Sequence, residues 1–118
     1  MKYNIQCVGR PNIQVEGTLA ASATGSYHTL EIIHTTENTF VAVLRLDYGG
    51  SACQIAVTTT LKDKMQEWLT TLLQDPRPKI VMDAYYNAQR MNLNTDSVIG
   101  DLFAQVESVI SQLTEVEV

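Results

Sequence analysis

Apolar residues recur at every second position through the first half of the chain and at every third or fourth through the second. Ile13, Val15 and Leu19 alternate with Asn12, Gln14, Glu16 and Thr18, and Phe40, Ala42, Leu44, Leu46 and Tyr48 alternate with Thr39, Val41, Val43, Arg45 and Asp47. A period of two is that of a pleated strand. Turn residues punctuate the runs: Gly9-Arg10-Pro11-Asn12, Glu37-Asn38 and Gly49-Gly50-Ser51. Together they predict five strands, at about 3–8, 12–20, 27–35, 39–48 and 52–59, joined as an antiparallel meander. Residues 20–26, Ala-Ala-Ser-Ala-Thr-Gly-Ser, have no large side chain to anchor them and are expected to form a mobile loop.

From residue 61 the period changes. Leu61, Met65, Trp68, Leu69 and Leu72 form one helical stripe, with Thr60 expected at the N-cap and Asp63 at N3 as in a capping box. Asp75-Pro76-Arg77-Pro78 stops that helix, because proline lacks an N–H and pushes its predecessor out of the α region. A second helix from Pro78 or Lys79 is expected to bury Ile80, Val81, Ala84, Tyr85, Ala88 and Met91, and to end at Asn92-Leu93-Asn94. The third begins near Thr95 or Asp96 and carries the longest apolar stripe: Val98, Ile99, Leu102, Phe103, Val106, Val109, Ile110 and Leu113.

Strands first and helices after predict one α+β domain, residues 1–118, with a five-stranded antiparallel sheet over 1–60 packed by about three helices over 61–118. If Phe40, Ala42, Leu44 and Leu46 face the helices, Val41 and Val43 point away from them beside Arg45, and the third strand is similarly apolar on both sides. A sheet with two apolar faces and helices enough for one leads to the expectation of a second subunit, a homodimer.

Composition narrows the function classes. The chain has 118 residues, 13 acidic against 8 basic, and a net charge of −5. Residues 1–60 carry 3 basic and 4 acidic side chains and residues 61–118 carry 5 and 9. Such a balance disfavours nucleic-acid backbones and anionic membranes, whose affinity comes from clustered Lys and Arg. There is no charged-then-apolar leader and no apolar run of about 18 residues, so the expected location is the cytoplasm. Two cysteines, Cys7 and Cys53, lack metal spacing and read as small core residues, which a disulfide could join only if their strands pair.

Motifs for catalysis are missing. The sequence has no G-x-x-x-x-G-K-[ST], G-x-G-x-x-G, H-E-x-x-H, G-x-S-x-G or C-x-x-C, and it points to no enzyme, no cofactor and no metal. His28 and His34 share one strand face but stand about 20 Å apart at about 3.3 Å per residue, too far to share an ion. Both are expected at the rim of the core. Asp96 with Asp101, and Glu115 with Glu117, belong on sequence to a solvated helix start and a frayed tail.

The most suggestive segment is Asp83-Ala84-Tyr85-Tyr86-Asn87-Ala88-Gln89-Arg90. With Ala84, Tyr85 and Ala88 turned to the core, Tyr86, Asn87 and Arg90 face outward, Tyr86 and Arg90 being neighbours at i and i+4. Tyr with Arg is the composition of interface hot spots, and also of a site that stacks a base and holds a phosphate. Arg77, fixed between two prolines, is a second candidate. The leading expectation is a non-enzymatic protein-interaction module, whose size, acidity and lack of catalytic motifs resemble those of small inhibitor and immunity proteins, a likeness that rests on no motif. One alternative is a small-ligand, nucleotide-like binder with an intersubunit pocket built from Tyr86, Arg90 and residues 20–26. The other is single-stranded nucleic-acid binding by the open sheet face, which the scattered basic residues disfavour.

Overall fold

The computed structural model of the chain describes residues 1–5, 13–46, 52–60 and 62–115, and of Ile13, Leu46, residues 52–60 and Glu115 the backbone alone. The elements are β1 (Lys2–Ile5), β2 (Ile13–Thr24), β3 (His28–Thr35), β4 (Phe40–Leu46), β5 (Ala52–Thr60), α1 (Lys62–Thr71), α2 (Lys79–Arg90) and α3 (Thr95–Glu115). The turns expected at Gly9–Asn12 and Gly49–Ser51, Cys7, Leu61 and Glu117 lie outside the described residues, as does the side chain of Cys53.

The fold is α+β, a curled antiparallel sheet with three helices. The expected uniform five-strand sheet is corrected. Neighbours follow the order β1-β2-β3-β4-β5, but the pairing divides into two ladders. Strands β2 to β5 form the four-stranded sheet, whereas β1 pairs only with Ile13–Glu16, the first third of β2. The change of partner falls at Gly17. Its N–H donates to Met1 O at 2.9 Å on the β1 side, while the carbonyl of Glu16 accepts Thr36 N–H at 2.8 Å on the β3 side. A Cβ at Gly17 would stand 2.1 Å from His34 O and 2.8 Å from Thr35 Cα, so the crossing strands meet where only glycine fits.

The helix face and the apolar part of the far face are both covered within the chain. On the helix side Leu30, Ile32, Phe40, Ala42 and Leu44 pack with Met65, Leu69, Val81, Leu102, Val106 and Leu113. On the far side Ile33, Val41 and Val43 are buried with Ile5, against Tyr3 and Val15, because the curl brings the β1–β2 ladder over them. The remainder of that face is polar: Arg45 of β4 pairs with Glu31 of β3. The far face thus divides into an apolar part under the β1–β2 ladder and a part that carries the Arg45–Glu31 pair.

Helix α3 lies across β2 and β3, α1 rests on β4 and β5, and α2 sits on α3. Local signals explain their limits. Asn94 caps α3, its Oδ1 accepting Ser97 N–H at 3.0 Å. Asn92, at φ 58°, ends α2 in the left-handed conformation, with Asn92 N–H bonded to Gln89 O at 3.1 Å and Leu93 N–H to Ala88 O at 2.9 Å. Met91, expected in the core, is 46% exposed, because this reversal takes it off the helical period. Thr60 is the last residue of β5, its expected capping side chain lying outside what is described, and Asp63 Oδ1 accepts the neighbouring Lys64 N–H. The β3–β4 hairpin turns through Thr36, Glu37 and Asn38, the last at φ 62°, with Asn38 N–H bonded to Thr35 O at 3.0 Å.

The expected mobile loop at residues 20–26 is corrected as well. Ala20 to Thr24 continue β2, with a bulge between Leu19 and Ala21. Small side chains here serve closeness. They let α3 approach until Gln112 reaches the β2 backbone, its Oε1 accepting Ser22 N–H at 3.0 Å and its Nε2 donating to Ser22 O at 2.7 Å. Where β1 no longer accompanies β2, a side-chain amide takes the place of the next strand.

Candidate functional site

Three polar arrangements stand out, and each is set by the elements above. The first is the turn from β2 to β3. Asp101 on α3 accepts three consecutive backbone N–H groups, Ser26 at 3.0 Å, Tyr27 at 3.1 Å and His28 at 3.0 Å, and lies 3.1 Å from His28 Nδ1. Gln105 donates to its other oxygen side at 3.2 Å. A Cβ at Gly25 would fall 2.1 Å from Asp101 Oδ1, so glycine leaves the space that the carboxylate occupies. His28 is fully buried, which corrects its expected place at the rim, and Asp101 is 13% exposed, which corrects its assignment to a solvated helix start. Convergent N–H groups on one carboxylate make an anion nest filled from within the chain. With both imidazole and carboxylate enclosed, this cluster ties the turn to α3.

The polar flank of α3 carries the signal for that contact. Asp101, Gln105, Ser108 and Gln112 follow one another at helical spacing beside the apolar stripe, and Gln112 Nε2 also donates to Ser108 Oγ at 3.1 Å. The sequence displays that seam, but what it would touch depends on β2 being a strand through residue 24.

The second arrangement lies at the opposite end of β3. His34 stacks on Phe40 with ring centroids 4.6 Å apart and planes 5° from parallel, and its Nε2 is 2.8 Å from Asn38 Oδ1. An open cleft of about 540 Å³ is lined by Thr18, Leu19, Ala20, His34, Asn38, Phe40, Lys62 and Leu113. Sequence reasoning placed His34 at the core rim, where the structure has it; Lys62, Leu19 and Leu113 join it only through the packing of β2, α1 and α3.

The third is the outer side of α2. Ala84 and Ala88 are buried and Tyr85 packs against the core, while Tyr86 is 58% exposed, set edge-on to Tyr85 with centroids 5.7 Å apart and planes at 78°. Arg90 donates to Asn87 Oδ1. Asp83 pairs with Lys79 at 3.1 Å, not with Asn87 or Arg90. Arg77 is exposed ahead of the first turn of α2. Twelve helical residues at about 1.5 Å each keep it about 18 Å from Arg90, so the two arginines belong to different ends of the helix. Residues 20–26 are hydrogen-bonded to α3, Ser22 to Gln112 and Ser26 to Asp101.

Among the described residues no group of three or more His, Cys, Asp or Glu side chains could hold a metal ion, and no helix is long and apolar enough to cross a membrane. No protein-family model, curated protein or solved structure matches this chain.

Proposed function

We propose that the chain is a non-enzymatic protein-interaction module of the cytoplasm, one that occupies a partner's surface in the manner of a small inhibitor or immunity protein. The observation that carries this reading is the outer side of α2. Tyr86 is exposed there to 58%, beside the Arg90–Asn87 pair, and Met91, just past the end of α2, is exposed to 46%. Exposing a large aromatic ring and a methionine to water forfeits burial that a partner can restore, and Tyr, Met and Arg are the residues enriched where interfaces gain most of their affinity. Because α2 packs on α3, this outer side is turned away from the core. The charge of −5 favours a neutral or basic partner surface.

The test is affinity capture from the source lysate with the wild-type chain and with Tyr86→Ala and Arg90→Ala variants checked for unchanged circular dichroism. A stoichiometric protein retained by the wild type and released by either variant supports the reading. Recovery of none, or equal retention by all three chains, refutes it.

A further inference from the structure

Lys79, Asp83, Tyr86 and Arg90 stand at i, i+4, i+7 and i+11 of α2, one ridge on the side opposite the buried Val81, Ala84 and Ala88. At about 1.5 Å per residue the ridge is about 17 Å long. In its first turn charge is closed within the chain, since Lys79 Nζ lies 3.1 Å from Asp83 Oδ2. In its last turn charge is open. Arg90 donates from Nη2 to the neutral Oδ1 of Asn87, and among the described residues no carboxylate forms an ion pair with its guanidinium. Tyr86 is one turn away from Arg90, so a surface that covers the ring reaches the guanidinium as well. A charge taken out of water is costly unless it is paired, and an amide oxygen is a weak counterpart to a cation. Whatever seats itself on Tyr86 must therefore bring the missing anion.

We infer, on the reading of α2 as a docking surface, that the partner is a different protein with an apolar pocket for the Tyr86 ring and, on the rim of that pocket, an Asp or Glu carboxylate that pairs with Arg90. Asn87 already holds Nη2, so the planar fork is oriented before the partner arrives. Recognition is by shape as well as charge, which the compact ammonium of lysine reproduces only in part. A single carboxylate at the contact is compatible with a partner that is neutral or basic over the rest of its surface, the kind that a chain of net charge −5 attracts. A second copy of this chain fits less well, because two chains of net charge −5 repel each other.

The experiment compares capture from the source lysate by the wild-type chain and by Tyr86→Ala, Arg90→Lys, Arg90→Gln and Arg90→Glu, each checked for unchanged circular dichroism, and then exchanges each surface Asp and Glu of the retained protein to Lys. Arg90→Gln is expected to weaken binding about tenfold or more, with Arg90→Lys between it and the wild type, and one exchange in the retained protein is expected to restore binding to Arg90→Glu. Two results overturn the carboxylate and leave the docking surface standing: release by Tyr86→Ala while Arg90→Gln binds as the wild type does, or a loss at Arg90 that no exchange in the retained protein repairs. Retention of the chain's own untagged copy alone overturns the foreign partner. Recovery of no protein, or equal recovery by every variant, overturns the docking surface itself and the carboxylate with it.

Discussion

Asp101 illustrates how much one side chain can organise when its partners are backbone. It meets three successive N–H groups and the Nδ1 of His28 in a setting where water reaches 13% of its surface. Hydrogen bonds to a charged acceptor contribute about 1.5–3 kcal/mol each when removal leaves the donors unpaired, and the losses here are partly shared. Asp101→Asn keeps the shape but turns an amide NH₂ toward those donors. A loss of about 2–3 kcal/mol in urea unfolding is expected; a variant within about 0.5 kcal/mol of wild type would show that the clasp is dispensable. Nothing in the sequence announces this pair. His28 and Asp101 lie 73 positions apart, and hydropathy records how polar a residue is, not which distant group will meet it. Tyr86 and Arg90 were legible for the opposite reason, since an outward position on α2 follows from its own helical period.

At the scale of elements, punctuation was readable wherever it is local. Pro78 immediately precedes α2, and Asn92 and Asn94 separate α2 from α3 through their own backbone preferences, whereas α1 already ends at Thr71, four residues ahead of the Asp75–Pro78 block expected to stop it, in successive i→i+3 turns. Residues 20–24 were misread because alanine, serine and threonine carry no hydropathy period. Their extended form comes from pairing with β3 and from the grip of α3. The division of the sheet at Gly17 was equally hidden, since curvature leaves the period of two unchanged. Gly17→Ala tests that division. A methyl group 2.1 Å from a backbone carbonyl cannot be accommodated by a rotamer change, so the strands must separate. A loss of about 2 kcal/mol in thermal or chemical unfolding is expected, larger than glycine-to-alanine changes at open positions. An unchanged midpoint would mean that the crossing is looser than the structure shows.

For the whole molecule, the curl covers the apolar far face of the sheet within the chain. Val41, Val43 and Ile33 are 1%, 0% and 2% exposed without any second subunit, so the apolar far face is satisfied internally. The unfolding midpoint is therefore expected to be independent of protein concentration over about a hundredfold range, which equilibrium unfolding followed by circular dichroism measures directly; a midpoint that rises with concentration would show an obligate oligomer. A further consequence lies in how Gln112 holds Ser22. Beyond Gly17 no strand among the described residues neighbours the outer rim of β2, and it is flanked by uncharged residues that would not repel an incoming chain. So long as α3 is seated, its amide occupies the hydrogen-bonding groups of Ser22 on that rim. When α3 lifts, the same motion that loosens the core uncovers a template for strand addition. Protection of this rim is thus tied to the docking of α3, and conditions that fray this helix are expected to seed assembly before they unfold the sheet.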